Sequence, residues 1–210
     1  MNKINWHKLP TEEKANVLTH GFGILAGLAL TPFLIYRATG IPLQLFGVLI
    51  FSLSLLAVYT SSTIYHSVQS ERMKFAWRKI DHISIYFLIA GTHTPFLLLF
   101  LNNSTGIIYL WILWGLVLLG ILYKLFFFDR WEWLSLVLYL GMGWMAAFTL
   151  PLMLKVIPMA SFNWIIVGGI CYTLGVFFYA FKRIPYNHAI WHLFVLGGSS
   201  GHYVAVWMAL

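Results

Sequence analysis

Acidic side chains are scarce in this sequence. It has six aspartates and glutamates in 210 residues against 13 lysines and arginines, so charged groups make up only 9% of the chain. Soluble globular domains carry far more charge, and with 60% hydrophobic residues the composition is that of a polytopic membrane protein. Cys171 is alone, which excludes an intrachain disulfide. Long polar stretches are missing too, so no soluble domain is expected between the apolar runs. The first run follows mixed charge at Lys8, Glu12, Glu13 and Lys14, is too long for a signal-peptide core and lacks a small-x-small cleavage site. It is therefore expected to stay as a membrane span.

What the chain does have is hydrophobic length. A spanning helix needs about 20 mostly apolar residues. Seven such runs follow one another, at roughly 17–36, 42–66, 80–101, 106–128, 133–154, 162–181 and 187–209. The expected fold is an all-α integral membrane protein, a seven-transmembrane-helix bundle forming one domain over 1–210. Residues 1–16 are expected as an interfacial lead-in and about 68–79 as the longest loop. Pro32, Pro95 and Pro151 fall inside spans, where they are expected to kink helices. The run Gly197-Gly198-Ser199-Ser200-Gly201 suggests close helix packing.

Charge then orients the bundle. With seven spans, Lys3, Lys8, Lys14, Arg72, Lys74, Arg78, Lys79, Lys124, Arg130, Lys182 and Arg183 fall on one side, and only Arg37 and Lys155 on the other. Under the positive-inside rule this predicts a cytoplasmic N-terminus and an outside C-terminus, in the inner (plasma) membrane of the cell. The basic surplus is topogenic in this reading, and no nucleic-acid partner is expected.

Ionisable groups inside apolar runs are costly, and they mark functional sites by default. His188 and His192 are four residues apart, so they share one helix face and can offer two imidazoles to one ion. His66 closes the second run, and Asp81 opens the third on the same side as His188. Three histidines with an open position are the ligand set of a catalytic zinc site. Asp81 is expected either to bind the ion or to act as general base, and Ser62, one turn from His66, to orient a ligand or donate to a substrate carbonyl. Interfacial snorkelling of the histidines, pairing of Asp81 with Lys79 or Arg78, and a bond from Ser62 to the carbonyl of residue 58 are the plainer alternatives. His20 lies in the correct layer to stand behind the ligands. His202, some 15 Å deeper than His192 at 1.5 Å per residue, is expected to line a cavity or sit in a buried hydrogen bond.

The ordered set Glu13-x-x-Asn16-x-x-Thr19-His20-x-x-Gly23, Ser62-x-x-x-His66, Asp81 and His188-x-x-x-His192 with His202 resembles the progesterone and adiponectin receptor family, in its short hemolysin III-like form. The resemblance covers essentially the whole chain. It implies a seven-helix bundle with a cytoplasmic N-terminus and a zinc ion on His66, His188 and His192, with Asp81 reaching the ion through water. The wider superfamily includes alkaline ceramidases, so the resemblance further implies a zinc-dependent lipid amide or ester hydrolase, or a lipid sensor, acting in membrane homeostasis. Membrane lipid or a fatty-acyl group is the expected partner.

A pore-forming cytolysin and a non-catalytic membrane receptor or regulator are the alternatives. A pore should line its full depth with polar groups, whereas the acidic residues here cluster at one side. A retinal protein is excluded because no lysine follows Lys182 in the last span.

Overall fold

The computed structural model describes residues 5–210, and its regular structure there is wholly helical. After a short 3-10 turn at Trp6–Lys8 come α1 (Thr11–Ala38), α2 (Pro42–Ser67), α3 (Glu71–Phe100), α4 (Ser104–Phe126), α5 (Glu132–Trp144), α6 (Ala146–Met153), α7 (Met159–Ala180) and α8 (Asn187–Ala209). Six helical segments, with α5 and α6 counted as one, are long and apolar enough to cross a membrane. The last helix has the length of α4, 23 residues each, but His188, His192, His202 and the Gly197–Gly201 run dilute its apolar character. The chain is an all-α, multi-pass membrane protein.

The helices close into a ring. α1 packs on α2, α2 on α3 and α3 on α4; α5 meets α4, α6 and α7 more sparsely; α7 packs on α8, and α8 returns to α1. α3 runs through the middle and also touches α5 and α8. The two ends of the ring closure are pinned by polar contacts. At one end the Tyr186 amide donates to Glu12 Oε1 at 3.2 Å. At the other the Arg37 guanidinium covers the Trp207 ring at 4.6 Å, and Tyr203 Oη donates to the Leu30 carbonyl. α1 and α8 therefore run parallel.

Lipid-side residues such as Leu118, Leu119 and Phe148 are exposed, while Phe51, Tyr86 and Leu113 are fully buried between helices. That is the pattern of a bundle whose solvent is hydrocarbon. The three in-span prolines lie inside α1, α3 and α6. At the Gly201–Gly168 crossing a Cβ on Gly201 would meet the backbone of Gly168, so α7 and α8 are in close contact along the small-residue run, as expected.

Two boundaries differ from expectation for one physical reason. α1 starts at Thr11 instead of near residue 17, and α3 starts at Glu71, so the expected 68–79 loop is mostly helix. Apolar periodicity locates the hydrocarbon slab, but a helix continues beyond it wherever good helix formers follow. Glu71 to Lys79 is such a stretch, and Glu12 and Glu13 favour the first turn of α1 through the helix dipole. The fifth apolar run, by contrast, is broken at Met145 into α5 and α6.

Candidate metal centre and adjoining cavity

The C-terminal end of α2 brings His66, and the N-terminal turns of α8 bring His188 and His192, to one end of the bundle. The three rings lie with centroids 5.0 Å (His66–His188), 5.2 Å (His66–His192) and 4.6 Å (His188–His192) apart. One nitrogen from each falls within 4.8 Å of the others. His66 and His192 are buried. The Nε2 atoms of His66 and His188 have no hydrogen-bond partner although both are enclosed. An unpaired polar atom in hydrocarbon costs several kcal/mol, about 4–8 against cyclohexane, so bare nitrogens converging on one point call for a ligand.

The far side of two of these rings is held by α1. Glu13 Oε2 accepts from His66 Nδ1 at 2.5 Å, and the Asn16 amide lies 3.3 Å from the same nitrogen. Glu13 is itself fixed by Lys74 Nζ on α3, at 2.5 Å. Thr19 Oγ1 donates to the carbonyls of Ala15 and Asn16, which leaves its oxygen to accept from His192 Nδ1 at 3.0 Å. Protonation at Nδ1, assigned from these partners, leaves Nε2 of His66 and His192 as lone-pair donors facing inward. Metal-binding histidines are oriented in this way. The donor set fits a first-row metal that favours imidazole, zinc among them.

Ser62 Oγ lies 3.5 Å from His192 Nε2 and within hydrogen-bond reach of the Asp81 carboxylate. Asp81 is buried, and it is not one of the three clustered groups. Nearby, Arg78 pairs with Asp129 at 3.0 Å, and Ser61 Oγ donates to the Val58 carbonyl. His20 stacks on His192 with centroids 3.6 Å apart, and neither of its nitrogens is bonded. His202 is also buried but stands away from the cluster, against the Tyr172 ring at 5.5 Å.

Behind these groups opens a cavity of about 380 Å³ between α2, α3, α5, α6, α7 and α8. Ser62, Asp81, His188 and His192 border one end and His93 and His202 the other, with Leu, Ile, Val and Met side chains between. Such a space is within the size range of small-molecule sites.

In the sequence, Glu13, Asn16 and Thr19 stand only as members of the motif that carries the resemblance, with no place beside the ligands. The available signal is their spacing of three along the first turns of α1, which lines polar groups on one side of an otherwise apolar helix.

The family model described as Haemolysin-III related matches residues 9–203, which takes in every residue of this centre. The chain belongs to the haemolysin-III-related family. Among its relatives, the Hemolysin-3 homolog of Bacillus subtilis (strain 168) is 43% identical over 197 residues, covering 93% of this chain and 92% of that protein. Hemolysin-3 of Bacillus cereus is 37% identical over 191 residues, covering 90% and 87%. The human monocyte to macrophage differentiation factor is 29% identical over 205 residues, covering 95% and 84%. Bacterial and mammalian matches along the full haemolysin-III-related chain agree with its likeness to the progesterone and adiponectin receptors.

Proposed function

We propose that this haemolysin-III-related protein is a zinc-dependent membrane protein that takes a lipid acyl chain into its bundle and hydrolyses, or senses, the lipid's amide or ester group. The observation that carries the reading is the pair of bare, enclosed imidazole nitrogens on His66 and His188, set beside His192 at the mouth of an apolar cavity. A metal ion without a cavity would suggest a structural clamp, and a cavity without the ion a passive lipid site. Their adjacency supports chemistry on a lipid carbonyl.

When bound, zinc supplies Lewis acidity towards a carbonyl oxygen and towards water. His66, His188 and His192 would hold it, and Glu13 and Thr19 fix the orientation of two of those rings. The apolar wall seats the acyl chain and excludes bulk water. Asp81 would accept the proton from an attacking water, and the Ser62 hydroxyl, which lies beside Asp81 and His192, would donate to the oxygen on which charge develops.

The seven-pass topology belongs to the same reading. It is supported by the parallel run of α1 and α8, which an odd number of crossings requires. The 11-to-2 division of basic residues supports a cytoplasmic metal end and a plasma-membrane location.

The test is zinc content per chain in purified protein, followed by a screen of lipid amides and esters with Asp81→Asn as control. About one zinc per chain and a hydrolysis rate that Asp81→Asn removes are expected. Absence of bound zinc after the metal is supplied would sink the hydrolase reading. Zinc with no turnover on any lipid would leave a sensor.

A further inference from the structure

The cavity has two polar ends, and the metal chemistry uses one. At the opposite end stand His93 from α3 and His202 from α8. His202 is 7% exposed, yet its Nδ1 is enclosed without a partner. His93 Nδ1 donates to the Ile89 carbonyl at 2.8 Å, so its Nε2 is an acceptor, and that atom too is enclosed without a partner. The Gly143 carbonyl faces the same ring, and the two imidazoles are near enough to influence each other. The other nitrogen of His202 has the Ile165 carbonyl as its partner, so the bare Nδ1 of His202, the bare Nε2 of His93 and the Gly143 carbonyl all stand as acceptors.

Packing alone does not account for these rings. The fold makes room for His202: a Cβ on Gly168 would fall within 2.8 Å of its imidazole. A leucine or phenylalanine would fill such a space without leaving a bare nitrogen in hydrocarbon, where the cost is about 1–3 kcal/mol by protein mutational measures. Both rings border the cavity, which runs without a break from them to the metal end.

We infer that His93 and His202 form a second anchor that accepts a hydrogen bond from a hydroxyl carried on the hydrocarbon chain of the ligand. The inference rests on the proposed lipid occupancy of the cavity and adds the ligand's class: an amphipath with a carbonyl at one end and a hydroxyl farther along its chain. The separation follows from the helices. His202 is ten residues beyond His192 on α8 and His93 twelve beyond Asp81 on α3, or roughly 15–18 Å at 1.5 Å per residue. A chain carrying its hydroxyl at about that distance satisfies both ends at once. A plain acyl chain leaves the far nitrogens bare.

The experiment compares two probes on zinc-loaded protein in nanodiscs: octadecanoic acid, and octadecanoic acid hydroxylated in the second half of its chain. Both are carboxylates of the kind that hydrolysis would release, so neither is turned over. Wild type is expected to prefer the hydroxylated acid roughly tenfold, the worth of one to two neutral hydrogen bonds in a buried site. His93→Leu and His202→Leu should each bring that ratio near one while octadecanoic acid still binds and the zinc content stays unchanged. Because the readout is a ratio within one protein, partial loss of folding lowers both affinities and does not mimic the effect. Equal affinity of wild type for the two acids, or an unchanged preference in both variants, would overturn the second anchor and leave the lipid reading standing. Failure of both acids to bind wild type would remove the lipid reading, and this inference with it.

Discussion

The two ends of the cavity place histidines in the same dry environment and treat them differently. At the metal end the outward nitrogens of His66 and His192 are held by Glu13 and Thr19, and Glu13 in turn by Lys74. Three helices besides α8 contribute to that arrangement. At the far end His93 is tied to the carbonyl four residues back on its own helix and faces that of Gly143, while His202 has the Ile165 carbonyl and leans on Tyr172, whose hydroxyl is shared with Ser199, so backbone carbonyls and a neutral ring are the partners there. A group that must bind an ion with fixed geometry needs its ring orientation locked by charged or cross-helix partners. A group that accepts one hydrogen bond from a mobile chain does not. On the proposed reading, the difference in support separates an end suited to coordination from an end suited to recognition.

The comparison breaks first at the metal end. His192→Ala, His66→Ala and His188→Ala should each cut zinc content from about one per chain to near zero, read by elemental analysis of purified protein. His93→Leu should leave it untouched. If a far-end variant also empties the site, the two ends are not separate. Next in size is Asp81→Asn, which should keep the zinc and lower lipid hydrolysis by about 10²–10⁴, the usual share of a general base. Loss of metal in that variant would make Asp81 a ligand. Glu13→Gln follows. It keeps the shape but weakens the acceptor on His66 Nδ1, and zinc affinity measured by chelator competition should fall about 10–100-fold. Retained affinity would show that the negative charge on Glu13 is not needed to hold the ring.

Much of this was readable before any coordinates. The His188/His192 pair follows from helical geometry, and the alternation of spans puts His66 and Asp81 at the same end. Those inferences need only a count of crossings and a rise per residue. The helix starts at Thr11 and Glu71 were not readable from hydropathy, because hydropathy reports the solvent and not the backbone. The roles of Glu13, Asn16 and Thr19 were hidden for a related reason. They lie where charged residues are ordinary, at the membrane edge, and only the packing of α1 against α2 and α8 aims them at ring nitrogens. The far end was half legible: His202 was expected at a cavity, but its pairing with His93 depends on how α3 and α8 cross.

The smallest effect tests whether the space around His202 is as tight as its packing implies. Gly168 and Gly169 are neighbours on α7, yet a Cβ at Gly168 would press on the His202 ring and on the Gly198 carbonyl, whereas one at Gly169 meets nothing within 4 Å. Gly168→Ala should destabilise the bundle by about 1–3 kcal/mol through overpacking. Gly169→Ala gains helix propensity at no steric cost and should change stability by about 1 kcal/mol or less, in the favourable direction. Thermal unfolding of the two variants in one detergent separates them. Since both add the same methyl group to the same helix, any difference comes from what stands opposite. If the two melt alike, the His202 ring can move aside, and a ring that moves so freely would be a poor fixed acceptor for a ligand hydroxyl.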